Sequence, residues 1–391
     1  MNITANNITE VLLALIALAG EIPKTVKISE ISERTLQNQI SIAKKNKLLK
    51  IDSKHERIRL KAPHGLEALQ NYSEELFLHY NMVTNNHQFQ TGEKALLAQR
   101  QFSKTVIKMI KNGYEIDNLS IRHKSNHFGK NEDEIDEIDF VLGNGLLDIG
   151  MDKFAADGKI IPLIESTSLI PYEEKRFYTS KYLKLGESIN DRINVSRITG
   201  IMLSAGNLYS VYYLKDGSRI FKSSEADMNN TIRKVYASAY GKPLRDIEAI
   251  IITKEIPART DRLESIFSHF YFIQDDVYGD FVIQILSCEN WREKVQEALY
   301  GEPSRDPRVD GIIDNTPSWE LVTGEYSKIQ KVKKLAGQNP TNFIIFDWQE
   351  EGVRRMTKGM NCELQVLTKE QELILLNEVR NHDRHTHTYN I

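Results

Sequence analysis

The sequence predicts an α+β chain in three parts: a small basic N-terminal module (1–72), a helical stretch (73–116) and a C-terminal α/β domain with a mixed sheet (117–391). Three observations predict it. Up to Lys61, apolar residues first recur every three or four positions and then alternate. From Gly92 to Lys111 the helical spacing returns and persists. After Tyr114, short apolar runs of strand character are interleaved with helical segments. With 391 residues, 40% hydrophobic and 27% charged, the chain is long enough for two or three domains with cores of their own.

The first helix runs Ile8–Ala19, opened by Asn7 or Thr9 and ended by Gly20, and Glu21-Ile22-Pro23 turns the chain. The apolar run Val11 to Ala19 is too short to span a bilayer and is preceded by Glu10 instead of a basic flank, so it reads as a buried helix. Ser29 to Lys61 then reads as a helix, a turn, a longer basic helix and a two-stranded hairpin. Ile28, Ile31, Leu36, Ile40, Ala43 and Leu48 supply the buried face. Ser32 caps the basic helix, with Thr35 as a rival N-cap. Its exposed positions carry Arg34, Thr35, Gln37, Asn38, Ser41, Lys44 and Lys45. Leu48 to Ile51 and Arg57 to Leu60 are the strands, joined by the turn Asp52-Ser53-Lys54-His55. A helix-turn-helix followed by a hairpin is a winged helix, whose second helix enters the major groove of double-stranded DNA while the hairpin rests on the backbone. Lys54 and Arg57 are the candidate hairpin contacts.

Charge fits this assignment locally. Met1 to Lys61 holds eleven Lys or Arg against six Asp or Glu, whereas the whole chain carries 51 basic and 54 acidic residues. A basic module on an acidic body is the footprint of a phosphate-binding surface. The bland alternative is a winged helix used for protein contacts, its lysines a solvated face.

Pro63 to Tyr72 reads as a short closing helix, followed by helices from Ser73 to Val83 and from Gly92 to Lys111. These would link the domains, pair two subunits or pack on their own domain. Asn131 to Asp139, with six acidic residues in nine, reads as a solvated loop. Strands are expected at Phe140–Leu142, Lys159–Glu165, Arg197–Ser204, Leu208–Leu214, Ser218–Lys222, Glu248–Thr253, Phe281–Ser287 and Asn342–Phe346. The third, fourth and fifth of these look like an antiparallel meander. Helices are expected at Glu225–Tyr240, Asp261–Phe270, Trp291–Leu299 and Lys369–Val379. His382, His385 and His387 fall in a polar tail and not in a metal site. Cys288 sits in an apolar run as a core residue, and two cysteines build neither a disulfide framework nor a zinc finger.

Several stretches match a known pattern: Leu12-Leu13-Ala14-Leu15 with Gly20-Glu21-Ile22-Pro23, Arg57-Ile58-Arg59-Leu60, and Gly65 with Leu66 and Leu69. Phe177 to Lys184, Ser196 to Ile201 and Tyr209 to Tyr213 continue it. In these the chain resembles the replication-relaxation family of plasmids and integrative elements of Gram-positive bacteria. The resemblance implies a winged helix acting on plasmid or element DNA in replication, transfer or transcriptional control. It also implies a C-terminal domain of restriction-nuclease-like ancestry. Such nucleases place an Asp on one strand and Asp/Glu-x-Lys on the next, the carboxylates holding Mg²⁺ and the Lys assisting the attacking water. Asp148 or Asp152 with Glu165 has the carboxylate spacing, but Glu165 is followed by Ser166 and Thr167. Lys175 or Lys181 would have to supply the charge from a helix. An inactive scaffold, with no metal, is the alternative.

The chain has no G-x-x-x-x-G-K-[ST] loop and no histidine pair with relaxase spacing, and none of its 16 tyrosines is singled out as a nucleophile. The expectation is a cytoplasmic, homo-oligomeric DNA-binding protein without a cofactor, its C-terminal domain serving oligomerisation or protein partners from the same element. The alternatives are a Mg²⁺-dependent nuclease and a regulator that responds to a ligand or peptide.

Overall fold

Helix α1, Ile8–Ala19, is buried around nearly its whole circumference, every side chain from Val11 to Ala19 being enclosed. That is why its sequence is apolar on all sides instead of striped. Gly20 ends it with a φ of 74°, a left-handed conformation that glycine adopts at low cost. The computed structural model describes residues 8–28, 31–84, 93–112, the strands at 115–116 and 168–171, and most of 198–386. The described architecture is α+β with mixed sheets. The chain divides into two units, Met1–Lys153 with Ser168–Leu185, and Phe154–Thr167 with Gly186–Ile391.

In the first unit, β1 (Ile22–Pro23), β2 (Leu49–Asp52) and β3 (Arg57–Leu60) form an antiparallel sheet in the order β1-β3-β2. The first of the two helices expected within Ser29–Lys61 is not found among the described residues. Val26 N–H instead bonds the Pro23 carbonyl at 3.0 Å and Ile31 N–H the Ile28 carbonyl at 3.1 Å, closing turns. Thr25, Val26, Ile28 and Ile31 are β-branched and poor helix formers, and turns suffice to bury the last three. Helix α2 follows as Glu33–Lys45, with Leu36, Ile40 and Ala43 on its buried seam. Ser32 is the N-cap, its hydroxyl accepting from Thr35 N–H at 3.2 Å.

Helices α3 (His64–Tyr72), α4 (Glu74–Val83) and α5 (Glu93–Lys111) follow. Gly65 lets α3 approach the end of α2, since a Cβ there would stand 2.2 Å from the Leu48 carbonyl oxygen. The stretch 73–116 is not a separate linker. Helices α4 and α5 pack on α1. Ser103 Oγ donates to the Ala19 carbonyl at 2.6 Å, satisfying an acceptor left open where α1 ends. Two-residue β4 (Glu115–Ile116) pairs in parallel with β5 (Ser168–Pro171).

The second unit opens with β6 (Ile198–Ser204) antiparallel to β7 (Asn207–Tyr213). Strand β8 (Glu248–Thr253) adds in parallel to β7, and β9 (Phe270–Gln274) in parallel to β8. Helices α6 (Val277–Leu286) and α7 (Trp291–Tyr300) follow. A second sheet has the order β10-β11-β12-β13, built from Gly311–Ile313, Thr316–Glu320, Thr341–Phe346 and Cys362–Leu367. Its first pair is antiparallel and the rest are parallel, with helices α8 (Ser327–Ala336) and α9 (Glu350–Met356) as crossovers. Helix α10 spans Lys369–Thr386 and packs on α6, α7 and β13. The aromatic core holds Tyr209, Tyr271 and Trp291, the Tyr271 ring meeting the other two edge-on. The Phe272 N–H bonds the Gly324 carbonyl at 2.9 Å, tying β9 to the loop after β11.

Three expectations in this unit are corrected. Phe281–Leu286 lies in helix α6 and Ser287 in the turn after it, rather than in a strand, because a short apolar run without polar alternation suits a mostly buried helix equally well. Leu263 is helical, but the chain leaves the helix by 265–269 and Phe270 begins a buried strand, so the expected helix does not reach Phe270. His382 and His385 lie on α10 in place of the expected tail. Cys288 is buried as expected. The expected strands at Phe140–Leu142, Lys159–Glu165 and Ser218–Lys222, the acidic run and most of the helix Glu225–Tyr240 lie outside the described residues.

Candidate nucleic-acid interface

All seven side chains predicted to line the reading surface of α2 are exposed. At about 100° per residue, Arg34, Asn38, Ser41 and Lys45 fall opposite the Leu36–Ile40–Ala43 seam. Gln37 and Lys44 lie on one flank and Thr35 on the other. The solvent face therefore presents cations, amides and hydroxyls, groups that bond phosphates and base edges, together with the exposed Ile42. Further along the helix Ser41 Oγ donates back to the Gln37 carbonyl at 2.9 Å, and at its start Thr35 Oγ1 lies 2.7 Å from Ser32 Oγ. Lys44 and Lys45 sit in the last turn, where the carbonyl end of the helix favours positive charge.

Two depressions flank the end of α2. One, of about 490 Å³, lies against α3 and is lined by Lys45, Lys47, His64 and Glu67. The other, of about 610 Å³, runs beside β2 and is lined by Lys44, Lys50, Arg59 and Lys61. Lys54 projects from the exposed hairpin turn.

Arg57 corrects the sequence expectation. Its side chain is 4% exposed and its guanidinium is committed inside the unit, with Nη1 2.7 Å from Glu21 Oε2 and Nε 3.1 Å from Asp52 Oδ2. Burial pushes the Glu21 carboxyl up, against the pull of Arg57. Asp52 is held well below the carboxylate range, chiefly by its bond to His55 Nδ1 at 2.9 Å. Arg100 of α5 also donates to the His55 carbonyl. Arg57 thus fastens the hairpin to the end of α1 and positions Lys54 without offering its own charge to a ligand.

The second unit contains a cluster the sequence did not reveal. Lys328, in the first turn of α8, places Nζ 2.7 Å from Asp310 Oδ2, 2.5 Å from Glu320 Oε1 and 3.7 Å from Glu325 Oε2. Although burial opposes its charge, the three carboxylates hold the ammonium protonated. Glu325 is pulled down to about 2, against burial, by Lys328 and by His269 at 2.5 Å. Burial pushes Glu320 up, and its oxygens also accept from the Thr323 N–H and hydroxyl. Beside the cluster, Arg292 bonds both Glu248 oxygens at 2.7 and 2.8 Å and the Tyr271 hydroxyl at 2.6 Å. A cavity of about 400 Å³ opens over these groups. The ammonium at their focus offsets one carboxylate charge, and its bonds tie the start of β10, the end of β11 and α8 together. Among the described residues no group of three or more His, Cys, Asp or Glu is arranged to hold a metal ion.

The nuclease candidates Asp148, Asp152, Glu165 and Lys181 lie outside the described residues. Among the described residues no helix is long and apolar enough to cross a membrane. Comparisons with protein-family models, with curated proteins and with solved structures each return no match.

Proposed function

We propose that this chain is a double-stranded-DNA-binding protein whose first unit is a winged-helix module with α2 as its recognition helix. The observation that carries it is the face of α2. Leu36, Ile40 and Ala43 seat the helix on the core, and Arg34, Asn38, Ser41 and Lys45 stand opposite, with the exposed Ile42 beside Asn38 as the apolar member of the solvent side. Such a face has the width and chemistry to enter a major groove, with the hairpin of β2 and β3 beside it. The basic balance of Met1 to Lys61 supports the same partner, because phosphate neutralisation dominates affinity for DNA. Taken with the resemblance drawn from the sequence, the setting is a plasmid or mobile element, in replication, transfer or transcriptional control. The second unit serves oligomerisation or protein contacts in the same compartment as that DNA.

The test is selection from a randomised duplex pool by the purified full chain, followed by gel-shift titration of the recovered sequence. The expected result is a recurrent sequence bound more tightly than pool DNA. Recovery of no duplex at low salt would overturn the proposal.

A further inference from the structure

The cavity of about 400 Å³ in the second unit lies over a constellation that has more than a structural use. Asp310 stands just before β10 and Glu320 ends β11, so the antiparallel hairpin brings together two carboxylates that are ten positions apart in sequence. The Glu320 N–H donates to Asp310 Oδ2 at 3.0 Å, and both carboxylates reach the same ammonium, Lys328 Nζ, at 2.7 and 2.5 Å. They therefore converge on one point. Two residues after Glu320 stands the buried Val322, and the cation comes instead from α8. Glu325 lies 3.7 Å from the same ammonium and is shared with His269, so one ammonium faces three carboxylates.

Tyr300 adds an independent observation. Its ring packs on Gly311, where a Cβ would stand 2.3 Å from the ring, and its hydroxyl is enclosed without a hydrogen-bond partner among the described residues. Burial, and then the charges of Asp310 and Glu320, hold that hydroxyl protonated. A donor with no protein acceptor thus lies near the two carboxylates, where a bound water or a substrate oxygen would satisfy it. At the cavity Arg292, Arg308 and Lys331 add positive charge, beside Glu248, Asp306 and His269 respectively.

We infer that Asp310, Glu320 and Lys328 form a centre that binds a divalent cation, Mg²⁺ or Mn²⁺, and hydrolyses a DNA phosphodiester. The choice of DNA as substrate rests on the DNA-binding reading; the cation site does not. Hard cations of this kind take carboxylate oxygens and complete their shell with water and phosphate, so two carboxylates suffice. The cation offsets two charges where the ammonium offsets one, and the flexible stem of Lys328 lets its ammonium turn to the phosphate. A cation-bound water gives a proton to solvent and its oxygen adds to phosphorus as the bond from phosphorus to the leaving oxygen breaks. The leaving oxygen takes up a proton from solvent. Lys328 is held protonated by its carboxylates, so it steadies the negative charge of the transition state and accepts no proton.

The experiment has two arms. The full chain is titrated with Mn²⁺ in the absence of DNA, read by the electron paramagnetic resonance of the free ion, and is incubated with supercoiled plasmid in Mg²⁺, in Mn²⁺ and in EDTA. The expected results are one held Mn²⁺ per chain and nicking that requires the metal. In Glu320→Gln, whose uncharged form burial already favours, the bound ion should be lost. Its nicking should fall about a hundredfold or more, the scale on which one lost electrostatic contact to a transition state slows a reaction. The exposed control Glu293→Gln should keep both. Circular dichroism checks that each variant is folded, and Asp310→Asn takes the place of Glu320→Gln if that variant is not. A wild-type chain that holds no Mn²⁺ would overturn the centre and leave the α2 reading standing. Plasmid that is bound in the presence of held Mn²⁺ but never cut would overturn the hydrolysis, and plasmid neither bound nor cut would overturn the DNA substrate together with the α2 reading. Undiminished nicking by a folded Glu320→Gln variant would place the chemistry at other residues.

Discussion

Arg57→Ala should unfold the first unit more than it weakens DNA binding. The guanidinium is 4% exposed and holds Glu21, itself 2% exposed, at 2.7 Å. Its removal leaves a buried carboxylate whose own burial already disfavours charge. Breaking a buried pair by deleting one partner costs about 3–5 kcal/mol, because the survivor is left uncompensated. On a domain of this size that lowers the melting temperature by roughly 10 °C. Asp52 keeps His55 and solvent, so it adds little to the loss. Adding Glu21→Gln should recover most of the stability, since the stranded charge is then gone. The assay is thermal melting by circular dichroism, run beside anisotropy titrations at a temperature where every variant is folded. A variant that melts like wild type but binds DNA several-fold more weakly would refute the reasoning and return Arg57 to the interface.

Lys44→Ala/Lys45→Ala should weaken binding to all duplexes and flatten the salt dependence, whereas Gln37→Ala or Asn38→Ala should cost about 1–3 kcal/mol on the selected sequence alone, by gel shift. Gly65→Ala should destabilise the first unit by about 1–3 kcal/mol, because its Cβ would stand 2.2 Å from the Leu48 carbonyl oxygen and push α3 off the end of α2; urea titration reads this. Glu325, held at about 2 against an ordinary value of 4.5, stabilises the folded second unit above pH 4.5 and loses that contribution as pH falls through about 2. Glu325→Gln should therefore flatten the acid limb of stability against pH by about 3 kcal/mol, with the raised Glu320 offsetting part of the wild-type slope.

What was legible in the sequence is what local chemistry decides. Gly20 ends α1, Ser32 caps α2, and the alternation around Asp52-Ser53-Lys54-His55 sets the hairpin, because each signal lies within a few residues of its effect. The exposed face of α2 follows from the same periodicity. Arg57 misled for the opposite reason. Glu21 lies 36 positions away, and nothing local distinguishes a buried arginine on a hairpin from a phosphate-binding one. The Lys328 cluster draws its carboxylates from a strand end, a loop and the start of another strand, so no spacing announces it. One signal was present: Asp314 and Asn315, with φ of 49° and 61°, are the two-residue turn that joins β10 to β11. Pro317 within β11 obscured it, since proline usually argues against a strand. The run Phe281–Ser287 failed because a short apolar run with Gln284 as its one internal polar residue suits a buried strand and a mostly buried helix alike.

The central claim, that α2 lies against DNA, is tested most directly by cross-linking from its face. A Ser41→Cys variant carrying an aryl azide is bound to the selected duplex and irradiated, beside a Gln70→Cys control on the exposed part of α3. The native cysteines are the buried Cys288 and the half-buried Cys362 in the second unit, and Cys362→Ser removes the more accessible background. The account predicts a covalent adduct from position 41 that maps to bases inside the selected site, and little or none from position 70. Equal yields from both positions, or a bound duplex that never cross-links to position 41, would contradict it.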